Sequence, residues 1–193
     1  MPTKRPFPVS ARAVPTKRRP PSKAQPPSGD ALRIAAQVDR DGVAFFRRAT
    51  SLVTDPRVKF IFGRAADEYG RALKSLEGVP GGKGRGKAPA VFPFEAYDRI
   101  ECSVCGYETT GDEIPERCPS CDAVRYAFER DVKREEAWDL VARTTKESLA
   151  LARKAAKVVT KAEARDAVAQ AVEVHRKLLE EAKEEHARVG ATP

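Results

Sequence analysis

Two cysteine pairs constrain this chain more than any other feature: Cys102-Ser103-Val104-Cys105, a gap of twelve residues, then Cys118-Pro119-Ser120-Cys121. Each Cys-x-x-Cys turn presents two thiolates to one ion. Two such turns close a tetrahedral S₄ site, which suits zinc or a single iron. The sequence has four cysteines, so one site accounts for every thiol. Two disulfides are the competing use of the same residues. Against them stand the paired two-residue spacing, a metal-ligand signature, and an N-terminus without the apolar stretch of a secretory signal. The expectation is therefore a cytoplasmic, reduced protein holding one metal on Cys102, Cys105, Cys118 and Cys121.

Both flanks of the cysteines read as helix. Ile34, Val38, Gly42, Phe45, Ala49 and Leu52 recur at three- and four-residue intervals, and Val58, Phe62, Ala65, Tyr69, Ala72 and Leu76 do the same. Asp55-Pro56 separates them, with Asp55 as N-cap and Pro56 at the first helical position, and Ser28-Gly29-Asp30 supplies the first cap. After the cysteines, Ala137, Val141, Thr144, Ser148, Ala152, Ala155 and Val159 trace one helical face. Ala164, Val168, Ala171, His175, Leu178 and Ala182 trace another. Thr160 and Glu163 resemble a capping box between the two.

The predicted organisation is a tail over 1–29, a helical hairpin over 30–77, a flexible glycine-rich linker over 78–93, the cysteine module over 94–128 and a second hairpin over 129–190. Short strands and turns are expected in the module. Thirty-five residues cannot hold a core alone, so the metal is expected to supply much of the module's folding free energy. Each hairpin carries one apolar stripe, so the two are expected to pair into a four-helix bundle, within one chain or between chains as a homo-oligomer. No apolar run approaches the roughly 18 residues of a membrane span.

The formal net charge is +8. Residues 1–29 carry seven cations and no acid, with eight of the 15 prolines, which predicts a disordered segment. The rest of the chain is then nearly neutral, and basic character reads as a property of the tail. By charge alone the tail can touch nucleic acid or another anionic partner; a solvated leader is the simpler reading. The chain offers no nucleotide-binding loop, hydrolase nucleophile or flavin motif.

The cysteine module resembles the rubredoxin-like module of rubrerythrins. The residues that carry the resemblance are Cys102-Ser-Val-Cys-Gly-Tyr107, Gly111, Pro115-Glu116-Arg117-Cys118-Pro-Ser-Cys121 and Phe128. The resemblance implies one iron on four cysteines and single-electron transfer with a redox partner; zinc, as in a zinc ribbon, is the alternative. Asp122 stands where the family usually has glycine, at a position that often needs positive φ, and Ile100 stands where an aromatic is common.

The first hairpin also resembles rubrerythrins, through Ala36-Gln37-Val38-Asp39-Arg40-Asp41-Gly42 and Ala65-Ala66-Asp67-Glu68-Tyr69-Gly70-Arg71. This implies a mainly α, ferritin-like bundle of two hairpins, with the module inserted in the long crossover. The di-iron ligand set is degenerate. Asp39 replaces a longer glutamate, Arg71 stands three residues after Glu68 where histidine is needed, and a guanidinium cannot ligate a cation. His175 and His186 are preceded at that spacing by Val172 and Lys183. Arg71 is expected to pair with Glu68, reaching toward Asp39 or lying at the surface. His175 is expected as a packed, hydrogen-bonded histidine, His186 as exposed, and Trp138 and Tyr69 as core anchors.

Three functions follow. The first is a rubrerythrin-like electron-transfer protein with one Cys₄ iron and no oxidase centre of its own. The others are a zinc-ribbon adaptor that binds partners or nucleic acid, and an active peroxide-reducing rubrerythrin.

Overall fold

The computed structural model describes residues 28–110 and 114–191. Nearly all of the expected tail lies outside the described residues, as do Gly111 and the two residues that follow it.

Helix α1 (Ser28–Leu52) and helix α2 (Pro56–Glu77) are joined by three residues. Asp55 is extended and its carboxylate accepts the Arg57 N–H at 2.7 Å, with Pro56 opening α2. This is the cap expected from sequence, because proline has no N–H to lose in a first turn. Asp30, expected as a cap residue, instead lies inside the first turn of α1 and pairs with Arg33. A one-turn helix, α3 (Phe94–Asp98), opens the cysteine module. The long helices α4 (Arg134–Val158) and α5 (Ala162–Gly190) close the chain. The capping box of Thr160 and Glu163 does not form: Lys161 holds the cap position and no side chain caps α5. Val159 is buried and its N–H continues to the Ala155 carbonyl, which leaves Thr160 one residue too early to cap.

The four long helices pack on one another, α1 against α2 and α4, and α5 against α4 and α2. Their interior has two characters. Near the start of α1, the end of α2 and the α4–α5 turn it is built mainly of small residues, including Ala31, Ala35, Ala36, Ala72, Ala155 and Ala167. Toward the α1–α2 turn it becomes aromatic, with Phe45, Phe46, Phe62, Tyr69 and Phe92 in edge and tilted contacts. Gly42 makes this possible. A Cβ there would sit 2.4 Å from the Tyr69 ring and 2.9 Å from Phe92, so α1 admits both rings only because it has no side chain at that point.

Residues 78–93, expected as a flexible linker, touch α1 at several points. A Cβ on Gly86 would lie 2.5 Å from the Arg33 carbonyl oxygen, and Phe92 inserts between Phe45 and Tyr69 with ring centroids 5.5 Å from each. Gly86 serves this close approach, whereas Gly81 and Gly84 supply positive φ, at 94° and 102°.

The rest of the module is a two-stranded antiparallel hairpin, β1 (Arg99–Glu101) and β2 (Glu108–Thr110), followed by a 3₁₀ turn at Arg125–Phe128. It is not a free-standing unit. Ile100, Cys102, Cys118 and Phe128 are buried in one continuous core with Phe45, Phe62, Trp138 and Leu178. Arg130 fastens the join. Its N–H donates to the Leu52 carbonyl at 2.7 Å and its carbonyl accepts from Thr54 N–H at 3.2 Å. Its guanidinium donates to the carbonyls of Ala96 and Arg99 and lies over the Tyr97 ring.

Candidate metal centre

The two Cys-x-x-Cys turns have the same backbone construction, sixteen residues apart. In the first, the Cys102 N–H donates to Tyr107 O at 2.9 Å and the Gly106 N–H to Cys102 O at 2.9 Å. In the second, the Cys118 N–H donates to Ala123 O at 2.8 Å and the Asp122 N–H to Cys118 O at 2.9 Å. The bridges that flank them correspond as well, Glu101 with Glu108 and Arg117 with Val124. This repeat is too short to stand out in sequence, since the turns share little besides their cysteines.

Each turn requires one residue with positive φ directly after its second cysteine. Gly106 has φ 74° and Asp122 has φ 59°. The sequence expectation for Asp122 is thus met: an aspartate occupies a position that glycine would take without strain. Arg117 braces it, donating to the Asp122 carboxylate at 2.9 Å and to its carbonyl at 3.3 Å. Both side chains are well exposed, so the ion pair adds little. Asp122→Gly is therefore expected to retain stoichiometric metal. Asp122→Val should cost roughly 1–3 kcal/mol, because a β-branched residue is strained at this φ. Competition with a chelator measures the difference.

The four sulfurs converge. Sγ of Cys102 lies 3.8 Å from that of Cys121, and Sγ of Cys105 lies 3.6 Å from that of Cys118. All four lie within 4.8 Å of one another. These separations are far beyond a disulfide bond. They are those of a tetrahedron around an ion about 2.3 Å from each sulfur, whose edges are about 3.8 Å. The donor set therefore fits a four-coordinate metal. Among the described residues it is the one group of three or more His, Cys, Asp or Glu close enough to hold an ion.

The site is lopsided. Cys102 and Cys118 are buried on the side facing the helices, and Cys105 and Cys121 are exposed. Burial of the first two follows from the shared core, with Ile100 beneath Cys102. The Ala123 N–H works to lower the Cys121 pKa, but contacts with the thiols of Cys105, Cys118 and Cys102 outweigh it and hold the group up at about 12. Four crowded thiols resist becoming four thiolates; a cation at their centre reverses that preference.

The residues matched to a di-iron ligand set lie apart from the cysteines, in the helical interior. Asp39 of α1 and His175 of α5 are both buried and joined by an Nε2–Oδ1 hydrogen bond of 2.8 Å. Burial raises the Asp39 pKa, and the charge and hydrogen bond of His175 oppose the rise. The Tyr69 ring packs on His175 at 4.9 Å, and its hydroxyl hydrogen-bonds with Ser148 of α4 at 3.0 Å. Each long helix thus contributes a polar side chain to this cluster. Glu68 is buried nearby and pairs with Arg71, which is 65% exposed. Arg71 is therefore a surface cation, and Asp39 takes His175 as its partner instead. Glu173 turns outward and pairs with Arg176 at 2.7 Å. His186 lies 3.9 Å from Glu135 near the end of α5. The sequence predicts a hydrogen-bonded His175 but not its partner, because 136 residues separate the two.

No helix among the described residues is long and apolar enough to cross a membrane. No curated protein and no solved structure matches the chain. A family model does, over residues 101–129, which span both cysteine turns and end beside the buried Phe128; the long helices lie outside the match. With four thiols gathered for a metal inside that span, residues 101–129 are a rubrerythrin-type, rubredoxin-like domain.

Proposed function

We propose that this chain is a one-electron carrier that holds a single iron on Cys102, Cys105, Cys118 and Cys121. The observation that carries the reading is the lopsided tetrahedron. Cys102 and Cys118 anchor it to the helical core, while Cys105 and Cys121 leave one edge open to solvent. When bound, iron supplies a ferrous/ferric couple there. The protein's part is to hold the sulfurs still and to aim the Ala123 N–H at one of them, which stabilises sulfur-borne negative charge.

The helical body is read as ferritin-like, with the module in the crossover between α2 and α4. Its packing order and the polar cluster of Asp39, Tyr69, Ser148 and His175 support this reading. The chemistry of the same residues weighs against peroxide reduction: the cluster has one carboxylate and one imidazole, and Glu68 is engaged by Arg71. A working di-iron site needs several of each.

Protein purified from its own source is expected to contain about one iron per chain and to show the visible sulfur-to-iron absorption of a ferric Cys₄ site. That absorption should bleach on one-electron reduction. A colourless protein with one zinc per chain would replace the carrier with a zinc-ribbon adaptor. Iron clearly above one per chain, with peroxide turnover, would restore an active di-iron centre.

A further inference from the structure

Charge is sorted along this molecule in a way its totals conceal. Residues 94–128, the cysteine module, carry eight acids against three bases, a net −5. The helical portion outside the module must then be distinctly basic, although the chain beyond the tail is nearly neutral. Two groups of its cations lie at the end away from the module. That end is defined by one apolar cluster containing Ala31 and Leu32 of α1, Leu76 of α2, and Val159 and Ala164 at the α4–α5 turn.

Two groups of exposed cations decorate it. Lys83, Arg85 and Lys87 alternate with Gly84 and Gly86 in the segment that runs along α1. Gly86 is pressed on the Arg33 carbonyl, and a Cβ on Gly84 would come within 3.9 Å of the Arg33 side chain. Gly86 brings the backbone down on the helix while Lys83, Arg85 and Lys87 remain exposed. Lys154, Lys157 and Lys161 form the second group, at the end of α4 and the α4–α5 turn. None of the six makes an ion pair among the described residues. Of the acids near the loop, Asp30 pairs with Arg33 and Glu77 with Arg40, while Asp41 accepts from the Gln37 amide at 2.7 Å; beside the second group, Glu163 and Asp166 are exposed on the first turns of α5, so the cations outnumber the acids rather than stand alone. The seven cations of residues 1–29 join the chain at this same end, at the start of α1.

We propose that this end is a sequence-independent nucleic-acid-binding surface, with Lys83, Arg85, Lys87, Lys154, Lys157 and Lys161 contacting backbone phosphates. Uncompensated cations repel one another. A phosphate backbone relieves that repulsion and releases its own condensed counterions. Flexible basic side chains on a glycine-spaced segment suit repeated point charges rather than one shaped ligand. A membrane surface fits less well: cations adsorb to anionic lipid by charge, but no large apolar side chain among these six adds insertion to it. Among the described residues, the exposed large apolar side chains Phe60, Val104, Val124 and Tyr126 all lie elsewhere, on the first turns of α2 or in the module. A protein interface fits less well for the same lack of an aromatic anchor.

The test uses the full chain and fluorescence anisotropy with a labelled mixed-sequence DNA duplex across a salt series. Log affinity should fall linearly with log salt. Replacing Lys83, Arg85 and Lys87 together with alanine should weaken binding about tenfold or more and make the salt slope shallower by roughly 2 to 3. The triple replacement of Lys154, Lys157 and Lys161 should act in the same way. A matched triple replacement at the other end, Arg57, Arg134 and Lys183, should change little. Exposed residues are replaced throughout, and circular dichroism checks that helicity is retained. The proposal is overturned if both test variants bind like the parent, since the tail would then be the whole site. It is overturned if the Arg57, Arg134 and Lys183 variant loses as much, since net charge alone would be acting. It is also overturned if the protein binds anionic vesicles but not the duplex.

Discussion

Replacing Cys118 with serine is expected to abolish stoichiometric metal binding and to destabilise the aromatic half of the helices along with the module. The sequence alone predicts a narrower effect, in which the module unfolds and the helices persist. The shared core changes that expectation. Cys118 and Cys102 are buried among the residues that contain Phe45, Phe62 and Leu178, so disorder in the module exposes apolar surface on α1, α2 and α5. A structural Cys₄ metal supplies on the order of 10 kcal/mol of folding free energy, which exceeds what a 35-residue module can replace by burial. Metal counting with hydrogen exchange checks both parts. Exchange should accelerate over 94–128 and also over 45–62, whereas the alanine-rich end near Ala35 and Ala167 should change less. Metal retained at one per chain would refute the ligand assignment. Unchanged protection over 45–62 would refute the shared core.

The second large effect is expected at Asp39. Asp39→Ala should cost about 3 kcal/mol, because it leaves the buried His175 without its partner and opens a cavity. Asp39→Asn should cost far less: the amide oxygen still accepts from Nε2, and no charge is buried. The sign of the pH dependence follows from burial. The folded state raises the Asp39 pKa, so it binds this proton more tightly than the unfolded chain does. The carboxyl's contribution to stability is then greatest below the ordinary carboxylate range and declines as pH rises through the raised pKa. Denaturant unfolding of parent and Asp39→Asn from acid to neutral pH should show the difference between them moving in favour of the asparagine variant as pH rises. Opposite movement would mean that His175 holds Asp39 as a strongly favoured anion.

Local chemistry is legible in the sequence. Cysteine spacing carries the ligand set, Asp55-Pro56 the α1–α2 turn, and the absence of glycine at Asp122 the strained position. Each depends on residues within a few positions of one another. Features that depend on long-range packing are not legible in this way. Gly86 reads the same in a loose linker and in a segment pressed on a helix; only the Arg33 carbonyl distinguishes the two. Thr160 has the right neighbours for a cap, but burial of Val159 fixes the turn first. Glu68 and Arg71 read as a charge facing inward or outward, and the exposure of Arg71 decides the matter. Counting charge by tail and body hides the separation within the body.

The clamp at Arg130 has a consequence for the order of folding. It joins the module to the α1–α2 turn through Thr54, 76 residues earlier in the chain. A contact of such long sequence separation forms late, after its closure entropy has been offset by other contacts. Every thiol precedes Arg130, so a chain emerging from the ribosome exposes all four before the clamp exists. The nascent cysteine turns can therefore capture their ion while untethered. Docking onto the helices then follows, when the Arg130 N–H closes on the Leu52 carbonyl and the two buried cysteines take their places in the core.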